Sequence, residues 1–445
     1  MAKQAKTKKL TVNRKAVSAA TLLIALALSV VFILLGITGR DMDREGLYKL
    51  LPWLPTTGET YRWRDALVPG AALGDTIVQT YSFEQTGQAA SPGDLDKAVI
   101  ILAERLNDLG WTDAAVQKDP EGNIRVTLPE GADAVFLGRL LSAKGEFSLA
   151  GPDGQVFLTG EHIKAAGFGY ADNTGKSFAL SFEFDQEGKE IFAQKTTELL
   201  GQNVSLLRDG VVLVSPTIST PLTDGGVSIP NFTLDEAREN AVLMRSGALP
   251  NALAIKTDNV SGAALLGTNV QRNLIIALLC LFAIVALYFI FFYRLGGFMA
   301  AWMLLLQLAL SHFFAALIGA GLTVQTLSAI YMPFFVSVFA MVNLFDGVQG
   351  DILRGRSVRQ ALKEGYAGRG HASLDIYAAL TILSVVLIIA DRGMIKLFSE
   401  VFAISLLLGL ILTHLGMRLL LNETINLFGS RTTLYTVHRD DKKEA

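Results

Sequence analysis

AVSAATLLIALALSVVFILLGITG, residues 16–39, carries no charged side chain and follows a basic segment running from Lys3 to Lys15. About 20 apolar residues are needed to carry an α-helix across a hydrocarbon core of about 30 Å, so this stretch reads as a membrane span. A secretory signal would have a shorter apolar core and small residues at its cleavage site. Here the run ends in Gly39-Arg40-Asp41, which predicts an uncleaved anchor. Moving outward, further apolar stretches stand at residues 274–293, 296–320, 326–345, 374–390 and 395–421, so six spans are expected in all.

Between the first span and the rest lies a long polar segment, which explains why a chain of 445 residues can be 51% hydrophobic and still 18% charged. Lys and Arg gather in the N-terminal tail, at Arg294, in the loop 354–369 and in the tail from Arg418 onward. By the positive-inside rule those segments are cytoplasmic. The expected layout is a cytoplasmic tail (1–15), the first helix (16–39), an extracytoplasmic domain (40–271), a five-helix bundle (272–422) and a second cytoplasmic tail (423–445) in the plasma or inner membrane. The single Cys280 allows no internal disulfide, and a net charge of −2 points away from nucleic acid as a partner.

Within the polar segment, residues 41–70 read as an irregular lead-in rich in Pro, Gly and Trp. Residues 76–83 then read as a strand, 94–109 as a helix, 114–118 and 124–128 as a hairpin, 132–141 as a helix and 146–149 as a strand. That order, strand, helix, strand, strand, helix, strand, predicts a ferredoxin-like α+β base at about 75–152 and 231–262. An inserted α+β head is expected at about 153–230, with an alternating strand at 177–184, a helix at 187–200 and a hairpin turning at Arg208-Asp209-Gly210. The joins at Gly151-Pro152-Asp153-Gly154 and at Gly225-Gly226 are candidate hinges, because Gly and Pro punctuate structure there. Thr233 with Glu236 three residues on predicts a capping box opening a helix at 233–245.

No constellation for catalysis or for holding a cofactor emerges. Gly175-Lys176-Ser177 resembles the end of a phosphate loop, but Tyr170 occupies the place of its first glycine, and an alternating strand follows where a helix would be required. The five histidines show no paired ligand spacing. Attention therefore falls on ionisable groups in or near the spans, which are costly in lipid and are functional candidates for that reason. These are Asp346 and Asp351 at the end of the fourth span, Asp375 at the start of the fifth and Glu400 at the start of the sixth, with His312 and His414 deeper. His414 fits a helix–helix hydrogen bond.

Several segments resemble the SecD/SecF family of the bacterial Sec protein-export machinery, in its SecD branch, which belongs to the resistance-nodulation-division superfamily. Phe232-Thr233-Leu234-Asp235-Glu236-Ala237 is similar to the family's NFTLEEA, Leu243-Met244-Arg245-Ser246-Gly247-Ala248-Leu249-Pro250 to LRAGALP, and Val214-Ser215-Pro216-Thr217-Ile218 to LSAPVI. The resemblance implies an auxiliary translocase subunit that works with SecF and the SecYEG translocon on an unfolded preprotein, coupled to the proton-motive force. Against the family's GMAVDANVLIFERIREE, an ungapped count back from Gly355 puts the usual Asp at Phe339 and the usual Asn at Met341. In the fifth span Leu374-Asp375 matches LDAN, while Tyr377, Ala379 and Leu380 replace the polar residues that follow.

An aromatic ring cannot exchange a proton, so Asp375 remains the one carboxylate of the family's membrane cluster. Asp346, seven residues beyond Phe339 and about 20° around the same helix face, is a candidate substitute. Two alternatives stay open, an exporter of small molecules or lipids of the resistance-nodulation-division type and a proton-independent scaffold that binds polypeptide.

Overall fold

The computed structural model describes residues 14–39, 42–43, 60–61, 69–84, 91–172, 177–390, 394–429 and 431–435. The basic segment 1–13, nearly all of the lead-in at 41–70, the turn at Asn173-Thr174-Gly175, the loop 391–393 and the tail beyond Tyr435 lie outside the described residues. The chain opens with α1 (Arg14–Thr38), an apolar helix that continues through the whole of the first expected span.

A polar domain follows, and its first sheet is built from β1 (Thr76–Phe83), β2 (Ala115–Lys118) and β3 (Ile124–Pro129), with α2 (Pro92–Asp108) and α3 (Ala134–Ser142) between and after them. Alternation in TIVQTYSF turns Ile77 and Tyr81 into the core, and Ser91 starts α2 through a capping box with Asp94. The fourth strand is not the expected 146–149. Sheet order is β11–β1–β3–β2, with β11 (Leu253–Gly262) entering from more than a hundred residues downstream. Two register shifts in LAIKTDNVSG break the alternation that would have marked it as a strand.

The stretch expected to close that sheet is β4 (Phe147–Ala150), and it pairs instead with β5 (Val156–Thr159) and with β8 (Ser205–Arg208), which in turn pairs with β9 (Val211–Val214). A second small sheet holds β6 (Ile163–Tyr170), β7 (Phe178–Phe184) and β10 (Gly226–Phe232), all antiparallel, with α4 (Gln186–Glu198) after β7. The β8–β9 turn puts Asp209 and Gly210 at φ 53° and 79°, as a tight hairpin requires. Helix α5 (Leu234–Ser246) carries the expected Thr233–Glu236 box, and its hydrogen bonds to Thr233 hold the Glu236 carboxyl below the usual range. Helix α5 packs on β6 and β7, and β4 pairs with β5 and β8, so elements on both sides of the expected 153–230 join its small sheets. One apolar core, including Leu102, Leu140, Phe178 and Leu243, runs through base and head together.

Among the described residues, five helices are long and apolar enough to cross a membrane, and the chain is a membrane protein. After α1 these are α6 (Val270–Leu317), α7 (Val324–Leu353), α8 (Val358–Ala390) and the run formed by α9 (Met394–Ile411), a π-helical turn (Leu412–Gly416) and α10 (Met417–Phe428). At 48 residues α6 is two helices, because Arg294 adopts φ 50° and ψ −120°. A Cβ built on Gly297 would lie 1.8 Å from the Phe289 carbonyl oxygen. Those residues stand about 12 Å apart along a straight helix, so the chain doubles back here. The two limbs correspond to the expected stretches 274–293 and 296–320. The basic loop expected at 354–369 is mostly helix, since α8 already begins at Val358.

The polar domain rests on the bundle through a small joint. Gly70 donates its N–H to Leu322 at 2.9 Å, Asp113 accepts from the Ala72 amide at 3.0 Å, and Thr112 bonds Gln325 at 3.4 Å. Leu322 lies between α6 and α7 and Gln325 in the first turn of α7, so the turn after α2 is seated on the bundle.

The turn at Arg294 leaves no room for a side chain at Gly297. Gly297→Val is expected to lower the melting temperature in detergent sharply, whereas Gly370→Ala, where the nearest atoms lie at 3.9 Å, leaves it unchanged or slightly raised.

Candidate functional site

Four helix segments bring a cluster of neutral polar groups to the middle of the bundle. The α8 residue Tyr377, fully buried at 0% exposure, places its hydroxyl 2.7 Å from Ser337 Oγ of α7 and 3.4 Å from Thr413 Oγ1 in the π-helical turn. Ser337 also donates to the Pro333 carbonyl at 3.1 Å. Gln307, from the second limb of α6, reaches the Ser405 carbonyl at 3.4 Å. These side chains close around bare backbone, since a Cβ on Gly409 would meet Ser337 Oγ at 2.6 Å and Gln307 Nε2 at 2.7 Å. The hydroxyls of Tyr377, Ser337 and Thr413 thus find partners inside the bundle, and among the described residues no carboxylate or ammonium is bonded to them.

The carboxylates singled out by sequence lie elsewhere. Asp375 opens the apolar half of α8, about 22 Å of helix before Ala390, and the helix itself begins a charged half earlier, at Val358. It is exposed on the outer surface of the bundle and makes no hydrogen bond or ion pair among the described residues. Asp346 is also exposed and accepts a hydrogen bond from Tyr293 at 2.7 Å, beside the Arg294 turn, where Tyr293 stacks on Phe345 at 4.9 Å. Phe339, 55% exposed, shares an outward stripe of α7 with Met332, Phe335 and Asp346, whereas Met341 is buried. Of the positions that replace polar residues, Tyr377 therefore enters the core, Ala379 is exposed and Leu380 is half-buried.

Asp351 is met by Arg356 at 3.1 Å and Glu400 by Lys396 at 3.9 Å. His414 joins Ser373 at 3.1 Å across α8, the helix–helix contact expected of it, and His312 bonds back to the Leu308 carbonyl at 2.8 Å. Ser337, Gln307 and Thr413 were not among the sequence candidates, because single Ser, Thr or Gln residues do not interrupt an apolar stretch.

The candidate hinges do not stand between base and head. Gly151 and Gly154 close a turn between β4 and β5 of one sheet, where Gly154 N–H bonds the Gly151 carbonyl. Gly225 and Gly226 lead into β10 alongside β7, with Gly225 accepting from the Phe184 amide. The chain crosses from base to head after α3 and returns between α5 and β11. Among the described residues, no group of three or more His, Cys, Asp or Glu is placed to hold a metal ion.

A family model described as "SecDF, P1 head subdomain" matches residues 142–251, which begin and end at those two crossings. The chain is 27% identical over 338 residues to a protein of Acidaminococcus fermentans named protein translocase subunit SecD, covering 76% of this chain and 80% of that protein. A protein of the same name from Sebaldella termitidis is 26% identical over 361 residues, covering 80% and 88%. A crystal structure of SecDF in a super-membrane-facing form matches with a TM-score of 0.69 at 21% identity, covering 94% of this chain and 59% of that one, and so shares the fold.

Losing the Tyr377 hydroxyl leaves Ser337 bonded only within its own helix. Tyr377→Phe is expected to reduce unfolding free energy in detergent by about 1 kcal/mol. Gly409→Ala should cost more, because its methyl group collides with two side chains. Wild-type stability in both variants would show that the cluster does not hold the bundle.

Proposed function

We propose that this chain, a member of the SecD/SecF family with an auxiliary role in Sec translocation, assists unfolded preproteins across the plasma membrane together with SecF and SecYEG. In this reading both termini are cytoplasmic, the bundle spans the membrane six times with α6 counted as two spans, and the ferredoxin-like base and its head stand on the far side. Basic residues at Arg294, Arg354, Arg356 and Arg418 favour that orientation.

The reading is supported by Asp375, a carboxylate without a hydrogen bond or ion pair among the described residues, facing outward where the charged half of α8 gives way to its apolar half. A carboxylate facing lipid at the edge of a span is unfavourable, and the cost rises to about 3 kcal/mol or more toward the bilayer centre. A second membrane subunit offering a donor or a cation removes that cost, and SecF is the partner the family implies. Phe339, Phe335 and Met332 give α7 an apolar outward stripe for the same kind of helix packing. Coupling to the proton-motive force would then run through the contact between subunits, with Asp375 and Asp346 as the groups able to change charge. The uncharged core around Tyr377 supports a second possibility, a scaffold that binds polypeptide without moving protons.

Removing the gene is expected to slow export of secreted proteins, and the intact chain should copurify with a second multi-span subunit. Asp375→Lys should abolish copurification, with Asp375→Asn intermediate. Undiminished export together with a chain that purifies alone would refute the proposed role.

A further inference from the structure

Arg105 of α2 is the largest fully buried side chain among the described residues, at 0% exposure. Among the described residues no carboxylate stands within ion-pair distance of it, and its donors go almost entirely to backbone. One terminal nitrogen reaches the carbonyls of Leu140 at 2.9 Å, Ala143 at 2.7 Å and, more distantly, Leu141 at 3.5 Å. The other reaches Lys144 at 3.1 Å and Gly247 at 3.4 Å, while Nε bonds Ser246 Oγ at 3.2 Å. Residues 140–144 are where the chain leaves the base, and 246–247 are where it starts back from the head. Burial pushes the guanidinium down to about 10, with the nearby charge of Asp209 opposing the shift.

We propose that Arg105 is the pin of the base–head junction, tying both chain crossings to α2 so that the head holds one orientation until those carbonyls are released. This deepens the translocation reading, which needs a head able to move, but its test does not depend on export. Around the pin stand further links to the same helix. Arg245 of α5 pairs with Asp108 at 2.7 Å, and Arg238 donates to the Leu109 carbonyl at 3.4 Å. The crossings also bond each other, the Leu249 amide to the Lys144 carbonyl at 2.8 Å. A cation is suited to a junction that must open, since carbonyl partners can be exchanged for water without leaving a second charge stranded. A planar guanidinium with five donors can span two strands, and a lysine ammonium with three cannot reach the same set.

The test uses the full chain with Cys280→Ser and spin labels at Ile100→Cys in the base and Val211→Cys in the head, both exposed. Pulsed electron-spin distance measurement should give one narrow distribution for the parent. Arg105→Lys should broaden or split it by several ångströms, and Asp108→Asn should do so to a smaller degree. Leu102→Ala, which removes buried packing from the same helix, is the control and should lower thermal stability while keeping the narrow distribution. An unchanged distribution in Arg105→Lys overturns the pin, and so does equal broadening in Leu102→Ala. Either result leaves the export role standing.

Discussion

A polar group withdrawn from water must meet its complement inside the fold, and this molecule is arranged around three answers to that demand. In the bundle, hydroxyl meets hydroxyl, and Tyr377, Ser337 and Thr413 satisfy one another where four helix segments converge. In the polar domain, a buried guanidinium meets backbone carbonyls at the base–head crossings. On the bundle's outer face, the carboxylate of Asp375 meets nothing in its own chain among the described residues. The first two are closed within the chain and give rigidity. The third points to another subunit.

Helix α2 connects these regions. Beyond its C-terminal end, Thr112 bonds Gln325 in the first turn of α7, and Asp113 accepts from Ala72 in the turn whose Gly70 bonds Leu322. One turn back from that end, Asp108 and Arg105 hold the head. A shift of the α6–α7 segment is therefore delivered close to the base–head crossings without passing through a flexible linker. The Gly-rich turns at Gly151–Gly154 and Gly225–Gly226 lie inside sheets and only shape them.

Much of this was legible in the sequence because long apolar runs and capping boxes are local signals. The spans, the Ser91 and Thr233 helix starts and the Asp209-Gly210 hairpin all depend on residues a few positions apart. What escaped was non-local. The base sheet closes with 253–262, whose two register shifts hide its alternation, and the strand at 147–150 could be assigned to a sheet only by knowing its partner at 205–208. Depth and facing escaped as well. Asp375 looked like a helix start because the amphipathic first half of α8 reads as a basic loop, and Tyr377 looked like a lost polar residue although its hydroxyl supplies the centre of the bundle. Arg105 gave no signal at all, since an arginine on an amphipathic helix ordinarily faces solvent.

If the bundle's core is neutral and Asp375, without a partner among the described residues, awaits one on another subunit, proton movement belongs to the assembled pair. Proton uptake into vesicles, driven by an imposed potential, tests this most directly. This chain alone should show no uptake above protein-free vesicles, and uptake sensitive to Asp375→Asn should appear once the partner subunit is reconstituted with it. Uptake by the chain alone would contradict it.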